Sequence, residues 1–214
     1  MVTYNSQNKL RVFTAFCGYD TSCIALDRLR RTFGADNFDY ELVGWSEIDK
    51  YAIQAHNANY PKASELNHGD ISQIDWNAVP DFDLFFYSPP CTDISSAGQQ
   101  KGIAEGSGTR SALLWECKKA VVSKHPKFML MENVSDLVGK KFIREYKKWL
   151  SFLEGAGYTS FGQVMDSKDY GVAQHRERIF LVSIRDTNAR FYFPEKIKLN
   201  KCIDDYLEKD VDES

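Results

Sequence analysis

The sequence predicts an α/β fold with a doubly wound, mostly parallel sheet. Short apolar runs alternate with segments of helical period along most of the chain, which is typical of parallel strands joined by crossover helices. The 214 residues, of which 43% are hydrophobic and 27% charged, suffice for one domain with a substantial core. Because the sequence contains no repeat, low-complexity stretch or linker, we expect one compact domain.

The first predicted unit is a strand, a helix and a second strand. Residues 10–16 form an apolar run, residues 20–32 have helical periodicity, and residues 41–45 form the next apolar run. This order is a βαβ unit. A helix over residues 52–59 follows, and it ends before Pro61 because a proline disrupts a helix interior.

The remaining elements continue the alternation. The predicted strands cover residues 82–87, 128–131, 162–166 and 179–185, and the predicted helices cover residues 111–123 and 141–154. The second of these helices ends at Gly155-Ala156-Gly157, as expected of a C-terminal glycine cap. Residues 198–207 form a short amphipathic piece. We therefore expect an N-terminal extension over residues 1–9, the main domain over residues 10–194, and a C-terminal remnant with an acidic tail over residues 195–214.

Charge and cysteine content exclude several classes of protein. The formal net charge of -3 gives no overall basic excess for nucleic acid, although residues 140–148 and 175–178 form basic patches that could equally be solvated helix faces. The five cysteines form no C-x-x-C pair, so we expect reduced thiols and no metal. With no bilayer-length apolar run and no signal-peptide pattern, we expect a cytoplasmic protein without membrane contact.

A cysteine follows one of the predicted buried strands. Ser88-Pro89-Pro90-Cys91 comes directly after the strand over residues 82–87. In an open α/β sheet the carboxyl ends of the strands face the ligand crevice, so this thiol would face a substrate. The two prolines fix φ and remove two backbone donors, which stiffens the loop. Cys91 is therefore a candidate nucleophile, and the alternative is one more small buried hydrophobic residue.

Candidate ligand-binding residues follow the first strands. The turn Phe16-Cys17-Gly18-Tyr19-Asp20 lets the backbone approach a ligand and offers the free N–H groups of a helix N-terminus. It lacks G-x-G-x-x-G, which favours a cofactor without phosphates. Glu47 is placed to accept hydrogen bonds from ribose hydroxyls, and Asp70 could present a carboxylate to an exocyclic amine. Either acid could instead be a surface charge or a helix cap.

A further group combines an acid with two arginines. Glu132 follows the strand over residues 128–131, and Arg176 and Arg178 precede the strand over residues 179–185. A carboxyl at the end of a buried strand is desolvated, which favours its protonated form and lets it hold a proton near neutrality. The alternative is a structural ion pair between these arginines and a nearby glutamate.

In this order, the features resemble the S-adenosylmethionine-dependent cytosine-C5 DNA methyltransferases. The matching segments are Phe16-Cys17-Gly18 for the family's F-A-G turn, Ser88-Pro89-Pro90-Cys91 for its nucleophile loop, Glu132-Asn133-Val134 for its E-N-V motif and Gln174-His175-Arg176-Glu177-Arg178 for its Q-x-R-x-R motif. Glu47 and Gly69-Asp70-Ile71 are similar to its ribose-binding and adenine-binding acids. The resemblance runs from about Leu10 to Pro194 and implies a Rossmann-like class I methyltransferase fold.

The resemblance implies a role for each matching residue. Cys91 would add as a thiolate to C6 of a cytosine flipped out of DNA, with Arg176 favouring the anion. Glu132 would protonate N3, and Arg178 would contact O2. The implied cofactor is S-adenosylmethionine, bound by Phe16, Cys17, Gly18, Tyr19, Asp20, Glu47, Ile48, Asp70, Ile71, Pro89 and Leu113.

The chain departs from the family pattern at three places. Asp20-Thr21 stands where the family usually has Gly-Gly, and Thr14 stands where it usually has Asp. Thr92 and Ile94 replace a common Gln and Phe beside the flipped base. After Pro194 too few residues remain for the family's target-recognition region and final motif. We therefore expect a split enzyme completed by a second protein chain, a truncated product, or a pseudoenzyme retained for binding.

The preferred interpretation is the catalytic domain of a DNA cytosine-C5 methyltransferase, of the kind used in restriction–modification or phage self-protection. One alternative is methylation of tRNA cytosine, although the C-F-T tripeptide of those relatives is absent. Another is a non-catalytic subunit that binds S-adenosylmethionine or a methyltransferase partner. A nicotinamide-dependent dehydrogenase would need the missing glycine motif and would have no use for Pro90-Cys91.

Overall fold

One mixed sheet forms the centre of the molecule. The computed structural model describes residues 3–95, 101–200 and 202–208, and within them six strands are ordered β2-β1-β3-β4-β6-β5. The strands are β1 (Leu10–Ala15), β2 (Tyr40–Ser46), β3 (Leu84–Tyr87), β4 (Phe128–Val134), β5 (Thr159–Asp166) and β6 (Glu177–Ile184). The first four run parallel, and β6 pairs antiparallel with both β4 and β5. The predicted mostly parallel α/β fold is thus confirmed.

Helices cover both faces of this sheet. They are α1 (Thr21–Phe33), α2 (Lys50–Asn59), α3 (Cys117–Lys124) and α4 (Ile143–Gly155). Alternate residues of β1 face opposite layers: Phe13 belongs to the main core with Trp149 of α4, whereas Val12 packs with Leu26 of α1. Since side chains of a strand alternate between faces, both faces of the parallel part are buried.

One predicted helix is wrong in its first half. Residues 111–123 were expected to form a single α-helix, but Arg110–Glu116 form a tighter 3-10 turn and only Cys117–Lys124 are α-helical. Ser111 and Asp93 exchange hydrogen bonds, with the Ser111 amide donating to Asp93 at 3.1 Å and the Asp93 amide donating to the Ser111 hydroxyl at 3.2 Å. These bonds engage the backbone of the turn in tertiary contacts.

The segment after β6 lies against the loop that follows β5. Lys196 pairs with Asp169 at 2.6 Å, the Ile197 amide donates to the Asp169 carbonyl at 2.8 Å, and the Tyr206 hydroxyl donates to the Gly171 carbonyl at 3.3 Å. The amphipathic piece expected at residues 198–207 contains one 3-10 turn, Ile203–Tyr206. Among the residues described, none of the helices has the length and apolar character needed to cross a membrane.

The strand order places a crevice at one edge of the sheet. From β1 the chain passes to β2 on one side, and it returns to β3 on the other side of β1. At such a switch point the loops leaving two neighbouring strands turn away from each other, which opens a crevice outside their carboxyl ends. The turn after β1 and the Ser88–Cys91 loop after β3 border this crevice.

Candidate active site

Two adjoining cavities occupy the crevice. The larger has a volume of about 890 Å³, and the smaller has a volume of about 230 Å³. Phe16 and Ser88 line both cavities, so the two spaces meet between the ends of β1 and β3. A ligand of nucleoside size could therefore extend from the smaller cavity into the larger one.

Predicted cofactor residues line the smaller cavity. Its walls include Phe16, Glu47, Ile48, Asp70, Ile71 and Leu113, together with Ser88 and Pro90. Glu47 Oε1 accepts the amides of Ile48 at 2.8 Å and Asp49 at 3.0 Å, whereas Oε2 accepts only the Gly18 amide, at 3.0 Å, among the described contacts. A carboxylate oxygen has two acceptor sites, so Oε2 retains one for a ligand hydroxyl.

Asp70 has a similar arrangement. Its Oδ1 accepts both the amide and the hydroxyl of Ser72, at 2.9 and 2.8 Å. The described residues provide no hydrogen bond to the other oxygen of Asp70. Pro89, also predicted to contact the cofactor, is buried and lines neither cavity.

The turn after β1 is bent through unusual backbone conformations. Phe16, Gly18 and Asp20 have φ values of 55°, 57° and 65°, in the left-handed region that residues other than glycine rarely adopt. Cys17, Gly18 and Tyr19, predicted to contact the cofactor, line the larger cavity. Burial raises the pKa of the Cys17 thiol, and the nearby charge of Asp20 adds to this effect, so the thiol stays protonated.

Asp20 does not face either cavity. It was predicted to contact the cofactor, but it is fully buried and acts as the N-cap of α1. Its Oδ1 accepts the Cys23 amide at 3.1 Å, and its Oδ2 accepts the Thr14 hydroxyl at 2.8 Å. The carboxylate is turned inward because these donors lie beneath the turn.

The larger cavity brings together three of the four predicted catalytic residues. Glu132, Arg176 and Arg178 all line it. Arg178 Nε donates to Glu132 Oε1 at 2.9 Å, and Arg178 Nη1 donates to the Glu177 carbonyl at 2.7 Å. The Glu132 side chain keeps 30% of its surface exposed. The full desolvation expected for this acid is therefore not found in this conformation, because part of the Glu132 side chain is exposed and Arg178 is bonded to it.

Asp166 holds the segment that carries the two arginines. It ends β5, and its Oδ1 accepts the Arg176 amide at 3.0 Å, while Oδ2 contacts His175 Nδ1 at 2.5 Å and Lys168 Nζ at 3.1 Å. Burial raises the pKa of this carboxyl, but these hydrogen bonds outweigh burial and hold its pKa well below the usual range. The charged carboxylate thus fixes the backbone beside Arg176.

Cys91 lies outside the cavity that holds the other three residues. It is half-buried against the main core and lines neither cavity. Its carbonyl accepts the amides of Ile94 at 3.1 Å and Ser95 at 2.9 Å, which forms a compact turn. Ile94, expected beside a flipped base, is fully buried in the core. The structure thus gives Cys91 no place in the wall of the cavity that Glu132 and Arg178 line.

The structure adds three residues to the site that were not predicted as site residues from the sequence. Asn133 is buried in β4, and its Nδ2 donates to the Pro89 carbonyl at 3.1 Å, which ties the cysteine loop to the strand that carries Glu132. Asp166 and Ser88 are the others. A polar residue inside an apolar strand was a usable signal for Asn133, whereas the contacts of Asp166 and Ser88 depend on tertiary structure.

Two clusters of potential metal ligands occur among the described residues. One contains Asp166, His175 and Glu177, and the other contains Cys17, Asp20 and His56. In the first cluster, hydrogen bonds already occupy both oxygens of Asp166. In the second cluster, Asp20 and His56 are buried, whereas Cys17 is partly exposed and lines the larger cavity.

Known proteins match this chain along most of its length. The Type II methyltransferase M2.ScrFI of Lactococcus lactis subsp. cremoris is 36% identical over 255 residues, which cover 95% of this chain and 69% of that protein. The Type II methyltransferase M.NlaX of Neisseria lactamica is 37% identical over 175 residues, which cover 82% of this chain and 54% of that protein. The chain thus spans between about half and two thirds of these relatives.

Solved structures share the fold at low identity. The Entamoeba histolytica methyltransferase EhMeth superposes with a TM-score of 0.71 at 17% identity, covering 96% of this chain and 62% of that one. The S. pombe Dnmt2 methyltransferase superposes with a TM-score of 0.64 at 19% identity, covering 86% of this chain and 51% of that one. The profile of the family described as C-5 cytosine-specific DNA methylase matches residues 13–214. With this match and the relatives above, the chain belongs to the C-5 cytosine-specific DNA methylase family.

Proposed function

We propose that this chain is the catalytic part of a DNA cytosine-5 methyltransferase that uses S-adenosylmethionine and a covalent Cys91 adduct. The observation that carries the proposal is the shared cavity: Glu132 and Arg178 are bonded within it, Arg176 lines it, and the smaller cavity opens beside it. The reaction requires an acid and cations beside the base and a pocket for the cofactor's nucleoside, and these two cavities contain such features. We propose the cytoplasm as its location.

The residues of the smaller cavity fit the nucleoside part of S-adenosylmethionine. Glu47 Oε2 has an acceptor site for a ribose hydroxyl, and Asp70 has a carboxylate oxygen for the adenine amino group. Phe16, Ile71 and Leu113 supply apolar surface for the ring. Bound there, S-adenosylmethionine supplies an electrophilic methyl group. Because Phe16 and Ser88 line both cavities, the rest of the molecule would pass between them toward the larger cavity.

The chain's own residues account for the chemistry at the base. The Cys91 thiolate adds to C6 of the extruded cytosine, and Glu132 gives a proton to N3, which leaves a neutral enamine whose C5 takes the methyl group. Arg178 stabilises charge at O2. Loss of the C5 proton to a base then lets the C6–S bond break, and N3 returns its proton to Glu132. The duplex must release the base because the ring is unreachable inside the stack.

In this mechanism the Cys91 thiol must reach C6 of a base held in the larger cavity. Cys91 follows Ser88, which lines both cavities, and Asn133 fixes the Pro89 carbonyl between them. We propose that the thiol rotates over Glu132 once a base occupies the larger cavity. Further protein, on a second chain or elsewhere, would supply target recognition, since the chain spans only part of its relatives.

Adduct formation tests this proposal directly. Duplex DNA with 5-fluorocytosine at random positions would be incubated with the protein and S-adenosylmethionine, with and without a candidate recognition chain, and the modified peptide identified by mass spectrometry. Fluorine cannot leave as a proton does, so the adduct should persist on Cys91. Cys91→Ser should abolish it, whereas Cys202→Ser, at an exposed thiol, should not. An adduct that survives Cys91→Ser contradicts the mechanism.

Calorimetry tests the cofactor pocket separately. Glu47→Ala removes the ribose acceptor and the bond to the Gly18 amide, so S-adenosylmethionine should bind at least about tenfold more weakly. Glu41→Ala, at an exposed acid on the strand that Glu47 follows, is the matched control. Equal affinities for the Glu47→Ala variant and the wild type would reject the assigned pocket.

A further inference from the structure

The helix behind the cofactor turn carries a fully buried histidine. His56 of α2 has no exposed surface, and its ring stacks on Trp45 with centroids 3.7 Å apart and planes inclined by 19°. Its Nε2 lies 3.6 Å from Asp20 Oδ2. Neither ring nitrogen makes a hydrogen bond within the described part of the chain. A buried polar ring in this condition requires an explanation, because unpaired buried polar groups are costly.

Asp20 provides the complementary group. Its carboxylate is fully buried too, and its described hydrogen-bond donors, the Thr14 hydroxyl and the Cys23 amide, are neutral. A buried carboxylate is stable only when a cation or several donors compensate its charge. His56 is the group in the Cys17, Asp20 and His56 cluster that can become a cation.

Other ionisable groups near the pair are neutral or already compensated. Burial raises the pKa of Cys17 and also that of Tyr60, which directly follows α2 and whose ring lies 5.4 Å from His56, so both keep their protons. Asp27 of α1 accepts the Tyr60 hydroxyl at 3.2 Å and pairs with Arg30 at 3.4 Å. Asp20 is therefore the acid that faces His56.

The carboxylate joins three elements beneath a strained turn. Asp20 contacts Thr14 of β1, the Cys23 amide of α1 and His56 of α2. Asp20 and Phe16 both have left-handed backbone conformations, which persist only where surrounding contacts hold them. Between them, the Gly18 amide donates to Glu47. Any shift of Asp20 would therefore move the wall shared by the two cavities.

We propose that Asp20 and His56 form a buried acid–histidine pair that positions the Phe16–Asp20 turn. The pair is a positioning device and touches no ligand. Its effect on S-adenosylmethionine binding rests on the function proposed above, whereas its effect on the turn does not. Removal of either member leaves the other as an uncompensated buried group, and the turn loses its connection to α2.

Nuclear magnetic resonance tests the pair without any ligand. In protein labelled with ¹⁵N-histidine, assigned with a His56→Phe sample, the ring-nitrogen signals of His56 should move in Asp20→Asn and stay in place in Glu41→Gln. Unchanged His56 signals in Asp20→Asn overturn the proposal. Stoichiometric zinc in the purified protein that is lost from the His56→Phe variant would also overturn it, because the cluster would then be a metal site.

Two single variants and their combination test the positioning role. Asp20→Asn keeps a side chain that tolerates the left-handed conformation and can cap α1, and His56→Phe keeps the stack on Trp45. Each should raise hydrogen exchange at the Gly18 and Asp20 amides, and each should weaken S-adenosylhomocysteine binding at least about tenfold. The double variant should lose no more affinity for S-adenosylhomocysteine than the more strongly affected single variant. Tyr60→Phe, at a neighbouring ring outside the pair, should leave both measurements unchanged.

The outcomes separate this proposal from the proposed function. The positioning role would be overturned if hydrogen exchange at the turn stayed unchanged in both single variants. It would also be overturned if the two losses of S-adenosylhomocysteine affinity added up in the double variant. If the wild-type protein binds no S-adenosylhomocysteine, the proposed function fails. The histidine spectrum and the hydrogen-exchange rates still show whether the Asp20–His56 pair positions the turn, because neither needs a ligand.

Discussion

At the scale of single residues, Arg178 is held at two points before any substrate arrives. Its Nε bonds to Glu132 at 2.9 Å, and its Nη1 bonds to the Glu177 carbonyl at 2.7 Å. A planar guanidinium fixed in this way presents its remaining donors in a set direction. Its side chain is 22% exposed and that of Glu132 is 30% exposed, so the pair lies at the cavity surface, where a polar base edge can engage both groups.

Glu132→Gln should separate catalysis from cofactor binding. Glutamine keeps the shape but cannot deliver a proton to N3, so methyl transfer from radiolabelled S-adenosylmethionine to DNA should fall by about 10²–10⁴-fold. Calorimetric affinity for S-adenosylmethionine should stay unchanged because Glu132 does not line the smaller cavity. Glu41→Gln is the control. Transfer at the wild-type rate in the Glu132→Gln protein would show that N3 receives its proton elsewhere.

At the scale of elements, the packing of β1 against β2 depends on one glycine. The pairing shifts between Val12 and Phe13, so Phe13 lies opposite Gly44. A Cβ at Gly44 would meet the Phe13 ring at 2.7 Å and His68 at 3.2 Å. Phe13 is fully buried among the rings of Trp76, Phe82 and Phe85, so it has little room to yield. Only a residue without a side chain fits this bulge.

Gly44→Ala should therefore destabilise the fold by about 1–3 kcal/mol, as overpacking of a dense core does. Urea unfolding followed by circular dichroism measures the change. Gly155→Ala is the matched control, because its Cβ meets no atom within 4 Å at the end of α4. That variant should be neutral or more stable by up to about 1 kcal/mol. Equal midpoints for the two variants would contradict the close packing at Gly44.

At the scale of the whole molecule, the doubly covered sheet keeps buried tyrosine and cysteine side chains in their neutral form. Burial raises the pKa of Tyr158 to about 12, and its hydroxyl donates to the Pro126 carbonyl at 2.7 Å. Burial also raises the pKa values of Cys23 and Tyr40 on the opposite face. The folded chain therefore retains protons that the unfolded chain releases at lower pH.

This difference sets the direction of alkaline destabilisation. Below the ordinary tyrosine pKa of 10 the stability linked to Tyr158 is fully present, and it should be lost as the pH rises from 10 toward 12. Urea unfolding at pH 8 to 11.5 should show a falling free energy of unfolding. Tyr158→Phe should cost about 1 kcal/mol at pH 8 and give a shallower fall above pH 10. If the free energy of unfolding fell in parallel with pH in the wild type and in Tyr158→Phe, the loss of stability could not be assigned to Tyr158.

Local signals in the sequence determined the architecture and most of the candidate pocket. The alternation of strands and helices predicted the mostly parallel sheet, since hydrophobic periodicity reports which residues face a core. Glu47 directly follows β2 and Glu132 lies near the end of β4, so both could be assigned to the crevice, because in this topology the ends of parallel strands share an edge. Asp70 precedes a 3-10 turn, and its assignment came from the family resemblance.

Only the tertiary structure decided which way several of these side chains face. Asp20 points inward to His56, Glu132 is bonded to Arg178, and Cys91 lies outside the cavity of the other catalytic residues. These outcomes depend on contacts between residues distant in the chain, which compete with local preferences and leave no periodic trace. The sequence determined the positions of the site residues along the fold, and long-range packing and charge pairing determined their orientation.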